Sequence, residues 1–469
     1  REDTKKFGSK KNIRRCLTLI RMKAEAEPVF VEEEKEALVV KAETPPPGPK
    51  KKPSFCSPEI FLNRRVLCVC ISTGTLMLGL GVTNPIIPAL VKQLNASASV
   101  VGVAFSTFGA SRLLLNIPIG WAADALGRKP VLVFGSALTA LGATLSAFAP
   151  DKTTFVLTRA IAGAGNSCYL GTAMAYLADA ATPQTRARFI GANQFAILIG
   201  VSFGPYLGGL CAKEYGLREP FLLVGALSAL AALSTLLLLP SAPSTTTEKK
   251  PTTTTSSSSS EDVGAVLRTI VTDLRFVGAG AAHFCVFSMR QGGRNLVVAY
   301  ICADQFGYEP KDLGALYAAM SLADLFLLGP AATLSDFVPD RRFVAVPSLL
   351  ASAFSIAAVS VVAQARSHAL LVLSLALWAF STGLIGPTLP AYVADVAPTG
   401  HRGLAISLFR SCGDLGTLVA PVALGFILDH AGPSNAALAL AVTVLFAAAF
   451  FAKFGIVPTH EKNLPHRQT

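Results

Sequence analysis

Apolar residues run through this chain in long, nearly unbroken blocks, with polar positions gathered into the short stretches between them. A helix lying at a water boundary alternates an apolar stripe with a polar face. These blocks are apolar nearly all round, and each reaches the roughly 20 residues a helix needs to cross a bilayer. Twelve spans are read this way, at 66–90, 99–123, 131–149, 154–179, 187–211, 220–240, 276–303, 313–335, 343–363, 369–394, 403–428 and 434–457. The fold class predicted is an all-α integral membrane protein that takes the lipid bilayer as its solvent.

Composition agrees: 52% of the 469 residues are hydrophobic and 15% charged, and mean hydropathy is +0.51, outside the range of soluble globular chains. A net charge of +12 would suggest nucleic acid, but its distribution argues against that partner. Arg128 and Lys129, Arg186 and Arg188, Arg268 and Arg275, Arg341 and Arg342, and Arg402 fall in alternate loops. The other loops carry Asp151 with Lys152, Asp304, Glu309 and Asp312. Positive residues stay on the side from which a membrane protein is inserted, which puts both termini on the cytosolic or stromal side. Seven of the nine cysteines, Cys68, Cys70, Cys168, Cys211, Cys285, Cys302 and Cys412, are scattered within spans as small apolar residues. Cys16 and Cys56 lie ahead of the spans, and no spacing suits a metal.

Five segments organise the chain. Residues 1–65 form a polar tail expected to be disordered. A plain cytosolic tail is the favoured reading; its Arg14–Lys23 stretch is basic and amphipathic and resembles the end of an organelle transit peptide, which is the alternative. A six-span half at 66–240 is joined by a Ser/Thr/Pro-rich linker at 241–262 to a second half at 263–457, and 458–469 form a C-terminal tail. The halves are repeats. Asp179-AATPQT-Arg186 at the end of span four matches Asp395-VAPTGH-Arg402 at the end of span ten, an offset of 216 residues (395 minus 179). The same offset carries Gly200 onto Gly416, Pro205 onto Pro421 and Gly209 onto Gly425.

Three motifs stand in the first half. After span two comes Gly120-Trp-Ala-Ala-Asp124-Ala-Leu-Gly127-Arg128-Lys129. Its counterpart in the second half keeps Asp336, Arg341 and Arg342 without the glycines. Span four carries Arg159-Ala-Ile-Ala-Gly163-Ala-Gly165. Span five carries Gly200-x-x-x-Gly204-Pro205-x-x-Gly208-Gly209, where glycines permit close helix approach and the proline removes a helix hydrogen bond.

Together these resemble the major facilitator superfamily, over roughly residues 64–457, and within it the twelve-span drug:proton antiporter branch. The resemblance implies two parallel six-helix repeats and secondary active transport by alternating access. It further implies a cytosolic gate in which Asp124 caps a neighbouring helix and pairs with a basic side chain, and a span-five motif that bends the helix and seals the central cavity. Ala162 stands where the family often has a polar residue, so Arg159 reads either as part of a proton relay or as a structural arginine.

Substrate information must come from polar residues at membrane depth, which are costly unless paired or hydrated. Counting about 1.5 Å per residue from the loops puts Arg112, Arg290, Arg294, Asp324 and Asp414 in the middle of their spans. Arg112 with Asn116, Arg290 with Arg294, and Arg410 with Asp414 share helix faces. In the fold implied, span two lies near eleven and seven near eight, so Arg112 is expected near Asp414 and Arg290 near Asp324. Static ion pairs are the plain reading; proton exchange at the acids or solute binding at the arginines is the functional one. Asn84, Asn166, Tyr169, Gln194, Asn295 and Trp378 are softer candidates. Arginine outnumbers acid at this depth and span one has no acid, which favours an anionic or carboxylate-bearing solute.

Other classes find less support. No Gly-x-Ser-x-Gly, phosphate loop or His/Cys cluster suggests an enzyme, a cofactor or a metal, and His283 stands alone in an apolar span. The expected partners are a small solute, protons as coupling ion and the bilayer, around a monomer. A non-transporting sensor, or an exchanger without proton coupling, would show the same spans. Asn95-Ala-Ser97 is a glycosylation sequon. Glycan there would indicate the plasma membrane or an endomembrane, with a plastid envelope as the alternative.

Overall fold

The computed structural model describes residues 63–182, 185–240, 263–398 and 401–455, and no strand occurs among them. The N-terminal tail, with Cys16 and Cys56, the 241–262 linker and the C-terminal tail from 456 on lie outside the described residues.

The first half contains α1 (Arg64–Thr83), α2 (Ile87–Gln93), α3 (Ala98–Leu126), α4 (Arg128–Ala147), α5 (Lys152–Ala180), α6 (Arg186–Tyr215) and α7 (Glu219–Leu238). The second contains α8 (Val263–Thr272), α9 (Leu274–Ser288), a wide-turned segment Met289–Val298, α10 (Ala299–Phe306), α11 (Pro310–Phe337), α12 (Arg342–Ala365), α13 (His368–Val396) and α14 (Arg402–Phe454). The spans read from the sequence overlie these helices, but 66–90 is broken between α1 and α2 and 276–303 runs through α9, the wide-turned segment and α10. Their starts are set locally: Asn63 accepts from Arg65 N–H, Asp151 from Thr154 N–H, and Asp273 from Arg275 N–H, each satisfying an orphan donor of a first turn.

Among the described residues, nine helices are long and apolar enough to cross a membrane, or ten if α8 to α10, bent by 69° at its start, is counted as one broken span. The 53-residue α14 contains the boundary expected between spans eleven and twelve. Gly432 interrupts it with φ +83°, a conformation that favours glycine, next to Pro433. The helix Lys152–Ala180 is not among the nine: it buries Thr158, Arg159, Asn166, Ser167 and Thr172 within the bundle.

The halves meet along two symmetric seams, α3 against α14 and α6 against α11. At Gly102 in α3 an added Cβ would strike the Pro421 carbonyl, and at Gly314 in α11 it would strike the Pro205 carbonyl. The pair Gly425 and Ala98 is likewise repeated by Gly209 and Pro310. Position 314 is 102 shifted by the 212 residues that separate Asp336 from Asp124, so the repeat seen in sequence is a repeat of contacts.

Candidate functional site: the interface between the halves

At one end of the bundle stand the two acid–arginine loops. Arg128 Nη2 meets Asp124 Oδ1 at 2.7 Å and its Nε meets Asp179 Oδ2 at 3.2 Å. In the second half Arg341 Nη1 meets Asp336 Oδ1 at 2.8 Å and its Nε meets Asp395 Oδ2 at 2.7 Å. Burial opposes the Arg341 charge, but the hydrogen bonds to Asp395 and Asp336 outweigh it and its pKa is raised. Arg342 pairs with Asp340 at 2.7 Å and donates to the Ala452 carbonyl. Asp179 and Asp395 are the acids that open the repeated eight-residue segment, so each cluster ties the ends of three helices within its own half.

The cap expected of Asp124 is not seen among the described residues: its carboxylate, in the last turn of α3, is held by Arg128, and no helix N–H donates to it. Gly127, at φ +90°, occupies the cap position of α4. Lys129, in the first turn of α4, is half-buried.

The span-five glycines lie in two contacts. Gly200, Gly204 and Gly208 face α1, and a Cβ on Gly204 would stand 2.5 Å from the Leu78 carbonyl oxygen and 2.7 Å from Gly81 Cα. Gly209 turns the other way, with its Cβ position 2.5 Å from the Pro310 carbonyl of the second half. Pro205 sits inside an otherwise continuous α6.

At the end away from the acid–arginine loops, bonds cross between the halves. Lys92 Nζ reaches Asp304 at 2.9 Å. The N-cap residue of α3, Ser97, makes no side-chain cap; instead Asp429, from the second half, accepts from Ala98 N–H at 2.8 Å and Ser99 N–H at 2.9 Å, and from the Ser99 hydroxyl. This is a helix cap supplied from across the interface. Asp429, whose carboxylate is what the first turn of α3 lacks, was missed in the sequence because it sits 330 residues from Ser99.

Glycine spacing along the same helices reports where the halves part. Gly102 and Gly109 of α3 are jammed against α14, whereas Gly120 has nothing within 4 Å of its Cβ position. In α11, Gly314 is jammed and Gly329 open; in α14, Gly425 is jammed and Gly403 open. The interface is closed at the cap end and open toward the loops.

Between these ends lie the buried charges. Arg112 Nη2 meets Asp414 Oδ1 at 3.2 Å, joining α3 to α14 across the halves. Asp414 is buried, while Arg112 keeps about a third of its side chain exposed, at 37%. Arg290 Nη2 meets Asp324 Oδ2 at 3.3 Å within the second half, and Thr382 donates to the other Asp324 oxygen at 3.1 Å. Arg294 donates to the Ser321 hydroxyl at 3.3 Å. Asn116, Gln194 and Arg410 are exposed.

Other candidates do not face the interface. Tyr169 is fully buried and donates to the Val69 carbonyl; Trp378 is packed against Gly293; Asn166 is buried in α5. Asn295 donates to Gln291 Oε1, and Asn84 is buried at the end of α1. Arg159 is buried over the Phe108 ring at 4.9 Å, with its Nε and Nη2 unbonded. Spacing puts a residue at a depth but does not say which way its helix face turns, and that is why these separate from Arg112 and Asp414. His283 is not isolated: its ring stacks on Phe409 with centroids 3.9 Å apart.

Two repeated helical halves, closed on one another at one end and open at the other around buried charges, define a membrane carrier of the alternating-access class. The profile of the Major Facilitator Superfamily matches residues 69–301 and 279–469, and the chain belongs to that family. Multidrug resistance protein 2 of Bacillus subtilis is 25% identical over 359 residues, 75% of this chain and 86% of that protein. The quinolone resistance protein NorA of Staphylococcus aureus is 23% identical over 370 residues, 78% and 91% of the two chains. Within the family the chain therefore resembles the drug:proton antiporter branch. Among solved structures, a bacterial homologue of the human lysosomal transporter Spinster, in an inward-facing and occupied conformation, superposes with a TM-score of 0.70 at 15% identity, covering 87% of this chain and 99% of that one. The family match and these relatives make the chain a secondary transporter.

Proposed function

We propose that this carrier exports a small anionic organic solute in exchange for protons, by rocking two six-helix halves about the buried charges. The acid–arginine loops and both termini face the cytosol or stroma, as the basic loops favour, so the conformation described is open inward. Twelve spans and a monomeric carrier complete the reading.

The observation that carries it is the Arg112–Asp414 pair. It joins the halves at the level where inter-half contact ends, beside Gly109, whose Cβ position lies 3.0 Å from the Asp414 carbonyl oxygen. A carboxyl there can lose its arginine partner when the halves rock, and an acid alternating between paired and unpaired surroundings alternates its proton affinity. The surplus of buried arginine supplies the preference for an anion.

The test uses proteoliposomes with an imposed pH gradient. Asp414→Asn is expected to abolish pH-driven transport while solute exchange at equal pH survives. Unchanged pH-driven transport removes Asp414 from the coupling. A second reading, exchange or facilitated diffusion without protons, draws on one observation: Asp324 and Asp414 are both already engaged by arginines. Unchanged pH-driven transport in Asp324→Asn as well would favour a coupling site elsewhere, and absence of pH-driven transport in the parent would favour that second reading.

A further inference from the structure

The segment Met289–Val298 is wound with i to i+5 hydrogen bonds over ten residues. Such wide turns are short where they occur at all and gather at functional sites. The sequence allows it here because Gly292 and Gly293 let the widened backbone lie against its neighbours. A Cβ on Gly292 would stand 2.7 Å from Leu424 Cδ1, and one on Gly293 would stand 2.7 Å from Leu440 Cδ2 and 2.8 Å from Trp378. With its glycines against α13 and α14, the segment presents Arg290 and Arg294 toward α11. Tyr317 of α11 donates to the Arg294 carbonyl at 2.7 Å, holding the wound backbone in place.

Charge is unbalanced there. Two guanidinium groups face one carboxylate, Asp324, whose oxygens are already taken by Arg290 and Thr382. Arg294 is nine-tenths buried and meets only the Ser321 hydroxyl, and the Nε of both arginines is buried without a partner. Among the ion pairs of the described residues, Arg294 has none. Burying a guanidinium without its counter-charge is costly, and a static structural pair would be matched one to one. Arg290 is only part-buried, with 32% of its side chain exposed.

We propose that this wide-turned segment is the subsite for the solute's charged end, and that it takes a group with one negative charge, a carboxylate or sulfonate. Resting on the carrier reading above, this narrows it to a substrate class. Arg290 makes the contact, because its planar fork matches the two oxygens of such a group. Arg294 stands behind as a second charge, and Asp324 reduces the local excess from two to one, so a singly charged group completes the balance and a doubly charged one overshoots it.

The test measures binding to the purified full chain in a neutral maltoside detergent by thermal shift. Benzoate and naphthalene-2-sulfonate carry one negative charge; phthalate carries two, benzamide none, and benzyltrimethylammonium is a cation. Benzoate and the sulfonate are expected to raise the unfolding temperature in a saturable way, with benzamide and the cation inert. Arg290→Gln should weaken benzoate at least tenfold, Arg290→Lys less, and Arg366→Gln, an exposed arginine at the far end, not at all. Asp324→Asn, which restores two charges, should shift preference from benzoate toward phthalate; this holds the idea to account even if Arg290→Gln does not fold. Stabilisation by the cation instead of benzoate, an undiminished benzoate shift in folded Arg290→Gln, or an unchanged preference in Asp324→Asn would each overturn the subsite. Absence of a benzoate shift beside working pH-driven transport would sink the subsite and leave the carrier standing. Benzoate binding in a chain that moves no solute would do the reverse.

Discussion

The two ends of the seam between the halves are built from the same kinds of residue and hold different things together. At the cap end, bonds run across: Lys92 to Asp304, Asp429 to the first turn of α3, Gly102 against Pro421 and Gly314 against Pro205. At the loop end, Asp124, Arg128 and Asp179 bind one another within the first half, and Asp336, Arg341 and Asp395 within the second. The difference teaches which bonds must break in transport. Clusters confined to one half can keep that half rigid through the cycle, whereas cross-half bonds must be released and remade, so they set the balance between the two states.

The harshest way to break this comparison is to place one bulky side chain at each end. Gly314→Leu should cut transport tenfold or more, a loss of about 1.4 kcal/mol or greater, because no side chain fits against the Pro205 carbonyl when that end closes. Gly120→Leu should leave the unfolding temperature of the inward-open protein unchanged, since its Cβ position is open. Vesicle transport and thermal unfolding read the pair, and equal damage to stability at both ends would erase the contrast.

Next in size is Asp124→Asn. An exposed ion pair contributes about 0.2–1 kcal/mol, so folding should barely change. Transport should fall severalfold if the rigidity of that cluster, or its use in the opposite state, matters to cycling; normal transport at normal expression would make it a decorative loop. Asp429→Ala, which removes both acceptor oxygens from the first turn of α3, should act more mildly. Losing a helix cap is worth about 0.5–2 kcal/mol, which would tilt the balance roughly 2- to 30-fold away from the closed cap end. Reagent labelling of single cysteines introduced at positions 95 and 305 would report it, and unaltered labelling would show the cap to be idle.

The smallest effect is expected from Asp151→Ala, at the same end but within one half. Hydrogen bonds from the Thr154 side chain and backbone hold the Asp151 carboxyl below its usual range. A depressed pKa means its contribution is present above about pH 4 and is lost as pH falls through the folded value. The unfolding temperature should drop slightly at neutral pH, and the difference from the parent should vanish in acid. The labelling balance should not move at all.

Part of the site was legible in the amino-acid sequence. Arg112 and Asp414 could be set at one depth by counting from loops, and the repeat offset carried the 200–209 motif onto 416–425. Tyr169 and Trp378 could be set at depth too, yet they point into their own halves, because depth follows rise per residue while facing depends on which neighbours a helix acquires. Asp429 and the wide turn at 289–298 carried no local signal: one is a cap whose helix lies in the other half, the other a winding that depends on glycines meeting Trp378 and Leu424.

What the sequence by itself determined was the kind of protein: apolar blocks long enough to satisfy the bilayer, basic loops on one side, and a twofold repeat with glycines where backbones must touch. These are properties of single segments and their spacing, and the membrane enforces them one helix at a time. Only the tertiary structure decided which charges meet, which half supplies the cap of α3, and which end of the seam is shut. Those depend on contacts between helices hundreds of residues apart, where small differences in packing choose between two arrangements of the same segments.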